Sequence, residues 1–219
     1  MKIKVNIPNT LADITLEQYQ RFLKVAETEN IDDMFLMQKM IQIFCGVKLT
    51  DVFYFKVKDI KRIISDINNV LVEEPKFETR FNFEGVDYGF IPNLDDISFG
   101  EYIDLDENMN DWSTMNKALS ILYRPIEMIK GDRYTIQKYQ GIENEDTMKR
   151  TPVNIALGAS VFFYNLRNEL QKAILKFSSK QMEDLTSQQR EILLQNGAGF
   201  NHYILSLRAI LEGLEIYQN

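Results

Sequence analysis

Apolar residues recur at helical spacing through most of the chain. Between Ile31 and Cys45 the stripe is Phe35, Met37, Met40, Ile41 and Phe44, and between Asp111 and Arg124 it is Trp112, Met115, Leu119 and Leu122. Gly46 and Pro125 are the expected stops of these two helices. Glycine accepts the left-handed backbone of a C-cap, and proline has no amide hydrogen to donate. A stripe bearing methionines is either ordinary core or an adaptable binding groove. A third helix is expected over about Val57 to Leu71, with Lys58, Lys61 and Arg62 as a solvated face beside Ile60, Ile63 and Ile64. Elsewhere the period falls to two. Phe77 to Phe83 and Val86 to Ile91 alternate around Glu84-Gly85, which predicts a β-hairpin, and Lys2 to Ile7 alternates in the same way. Pairing of Lys2 to Ile7 with the hairpin in a three-stranded sheet is expected, because an isolated hairpin is marginal in water.

The chain carries an internal duplication. Ile7-Pro8-Asn9-Thr10-Leu11-Ala12-Asp13-Ile14-Thr15-Leu16-Glu17-Gln18-Tyr19 aligns with Ile91-Pro92-Asn93-Leu94-Asp95-Asp96-Ile97-Ser98-Phe99-Gly100-Glu101-Tyr102 after one single-residue gap. Thr15 and Ser98 are N-caps whose hydroxyls accept from an amide of the first helical turn, and Gln18 and Glu101 complete reciprocal capping boxes. Each cap follows a Pro-Asn turn, and each turn follows extended residues. The repeated unit is therefore strand, turn, capped helix.

Beyond Pro125 the pattern changes. Ile126 to Arg150 contains Gly131 and Gly141, with Tyr134 and Tyr139 between them and no sustained helical period. It reads as an arm that either covers the protein's own core or meets a partner. Thr151-Pro152 is a helix start, the hydroxyl as cap and proline at the first helical position, with the helix running to about Phe177. A shorter helix is expected around Ser187 to Gln195, and a last one from about Gly199 to Tyr217. That last helix sets Phe200, Tyr203, Ile204, Leu207, Ile210, Leu211, Leu214 and Tyr217 along one side, either to close the core or to dock on a partner.

The expected fold class is mainly α with a small antiparallel β element (α+β), a helical bundle with a repeated strand-turn-capped-helix unit and a β-hairpin. Residues 1–125 form the pseudo-duplicated region with its small sheet, 126–150 the arm or loop, and 151–219 a C-terminal helical region packed on the first, together one domain.

Composition narrows the partners. The chain of 219 residues is 45% hydrophobic and 26% charged, enough to build a core, and its net charge of −7 argues against direct nucleic-acid or anionic-membrane binding. The basic residues Lys56, Lys58, Lys61, Arg62, Arg124, Lys130 and Arg133 all have acidic neighbours. Cys45 is the only cysteine, so no intramolecular disulfide can form, and Met1-Lys2-Ile3-Lys4 opens a strand-like alternation instead of a secretory signal. A reducing cytoplasm is expected. The longest apolar run, Val153 to Leu166, is broken by Asn154, Ser160 and Asn165 and falls short of the roughly 20 residues that cross a bilayer.

Little in the sequence suggests chemistry. His202, the sole histidine, has no nearby cysteine or second histidine, and a Cys45–His202 pair would need two isolated residues to meet. No phosphate-binding glycine loop and no His-Glu-x-x-His motif is present. Asp104 to Asn110 has oxygen ligands at alternate positions, as a calcium loop does. Met109 stands where that loop needs glycine and Met115 where it needs a bidentate glutamate, so an acidic loop between helices is expected instead. Asp95, Asp96, Glu101 and Asp104 would suit a carboxylate-based metal-dependent hydrolase, but capping and the helix dipole explain their positions more simply. No catalytic, cofactor-binding or metal residue is assigned, and the expectation is a non-enzymatic protein with no cofactor and no small-molecule substrate.

Three segments resemble structural or assembly proteins of tailed bacteriophages, particularly crAss-like phages. They are Ile7-Pro8 through Asp13-Ile14-Thr15-Leu16-Glu17-Gln18-Tyr19-Gln20-Arg21-Phe22, Asn116-Lys117-Ala118-Leu119-Ser120-Ile121-Leu122-Tyr123-Arg124-Pro125, and Tyr134-Thr135-Ile136-Gln137-Lys138-Tyr139. The resemblance touches about a third of the chain. It implies a non-enzymatic protein of virion or tail assembly, a particle component or a chaperone, working in the host bacterial cytoplasm with or without retention in the virion. The implied partners are other phage structural proteins or further copies of itself. A cellular adaptor and the carboxylate hydrolase are the alternatives. Arg124, Arg133, Tyr134 and Tyr139 are the expected partner-binding residues, because arginine and exposed aromatics carry much of the energy of protein interfaces.

Overall fold

The computed structural model describes residues 5–28, 32–166 and 168. Helix α1 (Leu16–Ala26) starts on the expected capping box, in which the Thr15 hydroxyl accepts from the Gln18 amide at 3.2 Å and the Gln18 side chain accepts from the Thr15 amide at 2.9 Å. The Gln18 amide nitrogen also donates to the Ile43 carbonyl at 2.8 Å, which fastens α1 to α2 (Asp33–Cys45). Asp32 caps α2, and Gly46 ends it at φ +66°, a conformation that costs glycine little. After the short α3 (Leu49–Val52), α4 (Val57–Leu71) buries Ile63, Ile67 and Val70 and leaves Lys58, Lys61 and Arg62 exposed, as its periodicity predicts.

The second copy of the repeat builds the same local structure. A 3-10 turn at Leu94–Asp96 matches the one at Leu11–Asp13, and Ser98 and Glu101 form the capping box of α5 (Phe99–Asn108). Asp104 to Asn108 are thus the end of α5 and not a loop, since the i to i+4 ladder continues through them and the Asn108 side chain donates to the Asp104 carbonyl.

The copies differ in what precedes the turn. In the second it is a strand, whereas Val5 to Ile7 are extended without strand pairing and lie beside Asp51, Phe55 and Ile63. The expected pairing of Lys2 to Ile7 with the hairpin is therefore not made by Val5 to Ile7, and Lys2 to Lys4 fall outside the described residues. The hairpin itself forms from β1 (Arg80–Phe83) and β2 (Val86–Phe90), with Glu84 at φ +51° and Gly85 at +82°, the pair of positive angles that a two-residue hairpin turn favours.

Its further strands come from the segment read as helix end and arm. A 3-10 turn at Trp112–Thr114 leads into α6 (Met115–Leu122), which stops before Arg124 and Pro125, and the chain becomes β3 (Tyr123–Lys130). The residue before a proline is driven from the α region, so the extended backbone begins here rather than at the proline. Pro125 sits inside β3 opposite Tyr88. The bond from the Ile91 amide to the Leu122 carbonyl, with the two-residue alternation of antiparallel ladders, puts Tyr88 and Pro125 where β3 owes β2 no hydrogen bond. Strand β4 (Arg133–Ile136) completes an antiparallel meander in the order β1-β2-β3-β4, with a register shift between Ile126 and Met128. Ile136, Tyr139 and Ile142 then pack on the core, and α7 (Glu145–Arg150) follows.

At the next junction the Thr151 hydroxyl donates to the Met148 carbonyl at 2.7 Å, closing α7 instead of capping the following helix as expected. Helix α8 spans residues 153–166 and begins after Pro152. Pro152 bridges Thr15, with the Leu16 amide donating to the Thr151 carbonyl at 2.9 Å and the Val153 amide to the Ile14 carbonyl at 2.8 Å. The start of α8 is thereby sewn to the start of α1. The helices expected at Ser187 to Gln195 and Gly199 to Tyr217, the stretch of the preceding one beyond residue 168, and His202 lie outside the described residues. Buried side chains from Leu11 to Phe163 form a single cluster, so the fold is α+β around one core.

Gly158 on α8 lets the segment before β1 pass close by, since a Cβ there would lie 2.3 Å from the Lys76 carbonyl oxygen. Gly158→Ala is expected to cost about 1–3 kcal/mol in urea unfolding. Gly100→Ala in α5, whose Cβ would meet only the Tyr139 ring at 3.7 Å, should be neutral or stabilising by up to about 1 kcal/mol.

Candidate interaction surface

Residues 127–133 are all exposed, so the end of the β3–β4 hairpin lies at the surface, with Ile129 beside Arg80 and Asp87 on one side and Arg133 beside Asp95 and Asp106 on the other. Gly131, at φ +61°, opens its turn. The side chains of Met128 and Ile129 are 62% and 53% exposed, and neighbouring strand residues point to opposite faces, so both sides of the tip offer apolar surface. Arg133 stands exposed at the start of β4, beside the turn.

The base of this hairpin is fastened to the sheet by Tyr134. Tyr134 reaches back across the sheet, and its ring lies so close to Gly89 on β2 that a Cβ there would be 2.4 Å from a ring carbon. A glycine inside a strand often marks such an approach. The Tyr134 hydroxyl donates toward the Phe90 carbonyl at 2.8 Å, with the Thr79 carbonyl at 3.1 Å, and the Arg80 guanidinium lies 5.6 Å from the ring centre. Burial pushes the Tyr134 hydroxyl above its ordinary pKa, so it stays a donor at neutral pH.

A second fastening joins β3 to α5. Arg124 and Glu101 approach to 2.5 Å with side chains only 13% and 9% exposed. One carboxylate oxygen of Glu101 takes Arg124, and the other accepts from the Ser98 amide at 2.7 Å. Burial alone would raise the Glu101 carboxyl; the Ser98 amide and hydroxyl and the Arg124 guanidinium outweigh it and hold the group below its ordinary range. The Arg124 guanidinium also lies 5.6 Å from the centre of the Tyr139 ring, and the Tyr139 hydroxyl donates to the Asp104 carboxylate. Burial first, and then that bond, pushes the Tyr139 hydroxyl up.

The four residues singled out in the sequence thus fall into two groups. Arg124 and Tyr139 meet on α5, while Arg133 and Tyr134 share β4, and only Arg133 is fully exposed. Met128 and Ile129 carried no signal in the sequence, because nothing in the pattern shows which strand end stays uncovered. The same holds for Phe53 and Tyr54, 70% and 83% exposed between α3 and α4.

Three of the four acidic residues weighed for metal chemistry are otherwise engaged. Asp96 accepts from the Asn93 side chain at 2.6 Å, Glu101 from Arg124, and Asp104 from Tyr139. Among the described residues no group of three or more His, Cys, Asp or Glu side chains is placed to hold a metal ion. Cys45 is buried, and burial pushes its thiol up to about 11, well away from a reactive thiolate. No described helix is long and apolar enough to cross a membrane.

Because the folded pKa of Glu101 lies below the unfolded value of about 4.3, its contribution to stability is complete above that value and is lost as pH falls through the folded one. Glu101→Gln should cost about 1–3 kcal/mol at neutral pH and flatten the fall in the urea midpoint below about pH 4.5. Tyr134→Phe, which removes only the donor, should cost about 1 kcal/mol in the same assay.

Comparison with family models, with curated proteins and with solved structures gives no match to this chain.

Proposed function

We propose that this chain is a non-enzymatic protein-binding protein that acts in tailed-phage virion or tail assembly, as a particle component or as a chaperone for another structural protein. Its partners are other phage structural proteins or further copies of itself, met in the host bacterial cytoplasm. The observation that carries the binding part is the exposed hairpin end, where Met128 and Ile129 present apolar surface on a base fastened by Tyr134 and Arg124. Apolar side chains on a backbone already ordered by strand pairing cost less further conformational entropy when a partner covers them. Glu127, Lys130, Asp132 and Arg133 surround the tip with both signs of charge, so a partner can be oriented without a strong net field.

The assembly part rests on the resemblance of the three segments quoted above. In the fold these segments are the α1 cap, α6 with its passage into β3, and the Tyr134-to-Tyr139 stretch that anchors the hairpin. The last two hold the base of the hairpin that carries Met128 and Ile129.

Light scattering of the purified chain, alone and mixed with the structural proteins of its source, should give a discrete oligomer or a stoichiometric complex. Met128→Ser with Ile129→Ser should weaken that association by about tenfold or more while leaving the urea midpoint unchanged. A monomer that captures no structural protein would overturn the proposal.

A further inference from the structure

Charge is unevenly placed along this chain. Between Lys48 and Arg62 it carries five cations, Lys48, Lys56, Lys58, Lys61 and Arg62, against two carboxylates, Asp51 and Asp59, in a protein whose net charge is −7. All five cations are exposed, and among the described residues none of them is in an ion pair. Beside them Phe53, Tyr54 and Val57 stand in solvent, 70%, 83% and 66% exposed. Neighbouring aromatic side chains ringed by charge are what protein interfaces bury at their centres.

The matching surface is a groove of about 890 Å³ between the turn that follows β2, the α5 helix and the end of α8. Phe77, Leu94, Leu105 and Phe162 supply apolar wall, and Asp95, Asp106 and Asp132 outnumber Arg133 among its charged residues. Asp132 and Arg133 also belong to the hairpin end, so groove and hairpin end are one continuous surface. Its volume lies within the roughly 300–1,000 Å³ of ligand pockets, enough to admit two aromatic side chains. It shares no residue with the patch around Phe53 and Tyr54.

We propose that the Phe53-Tyr54 patch of one copy seats in the groove of the next, its rings against the apolar wall and Lys56 and Lys58 against the acidic residues. Charge singles out this occupant. Two copies of a chain at −7 repel each other except where opposite signs face, and here a basic aromatic patch and an acidic apolar groove are matched within one sequence. Because the two surfaces differ, the contact is head to tail and leaves a free patch and a free groove on every pair. Copies therefore add until a ring closes or a filament grows. The inference deepens the proposed function and rests on it, naming the surfaces through which further copies meet.

The test weighs the purified chain by light scattering at low salt, where charge pairing is least screened. The unaltered chain should exceed its monomer mass of 25.7 kDa. Phe53→Ser with Tyr54→Ser, and separately Asp95→Lys with Asp106→Lys, should each weaken self-association about tenfold or more and leave the urea midpoint unchanged. Mixed in equal amounts, the two variants should form a dimer and nothing larger, since one intact patch and one intact groove remain to meet. Val57→Ser and Asp132→Lys replace either pair if it lowers the midpoint. A mixture that stays monomeric while the unaltered chain associates would overturn the inference, and so would either variant associating like the unaltered chain; in both cases the proposed function stands. An unaltered chain that is a monomer at every concentration also overturns it, and takes the proposed function with it only if no structural protein is captured.

Discussion

A single carboxylate holds the two halves of the site together. Glu101 sits in the first turn of α5, where the repeat's capping box requires an acceptor, and the oxygen not used by the cap receives Arg124 from β3. A buried carboxylate that accepts from both a backbone amide and a guanidinium has its desolvation offset on both sides. Whatever moved Glu101 would free the start of α5 and the strand that enters the sheet at the same time.

From that point the rest of the surface follows. With β3 fixed, β4 lies beside it and Tyr134 spans the sheet over Gly89, so the base of the hairpin is fastened from both strands. Tyr139 then returns the chain to Asp104 on the same α5, a second contact on the helix that Glu101 has already pinned. Elsewhere the short bridge between Thr15 and Pro152 makes the start of the first capped helix the partner for the start of α8. Both repeated caps therefore serve a tertiary role beyond helix initiation. Gln18 binds α2 through Ile43, and Glu101 binds β3 through Arg124.

The two copies of the repeat also show how the same local code reaches different ends. Each has a 3-10 turn and a capped helix, because Pro-Asn, a hydroxyl cap and an amide or acid three residues later act within a few residues of themselves. What precedes the turn is not local. Ile91 continues a strand that has neighbours in β1 and β3, while Ile7 runs beside α4, where none of the described strands pairs with it.

The sequence by itself determined what depends on near neighbours: the bounds of α4, the end of α2 at Gly46, both capping boxes, the tight turn at Glu84-Gly85 and the apolar faces of the helices. Tertiary structure decided what depends on partners far along the chain. Whether Tyr123 to Lys130 ends a helix or becomes a strand turns on β2 lying ready to pair with it, and Thr151 closes α7 instead of opening α8 because Ile14 and Leu16 take up the backbone around it. The same division runs through the surface. Tyrosine and arginine at 124, 133, 134 and 139 are visible in the sequence as side chains suited to binding, but only the fold turns three of them inward toward Glu101, Asp104 and the β2 backbone and leaves Met128 and Ile129 outside. A side chain's chemistry is written in its own position, whereas its exposure is set by whatever distant segment comes to lie against it.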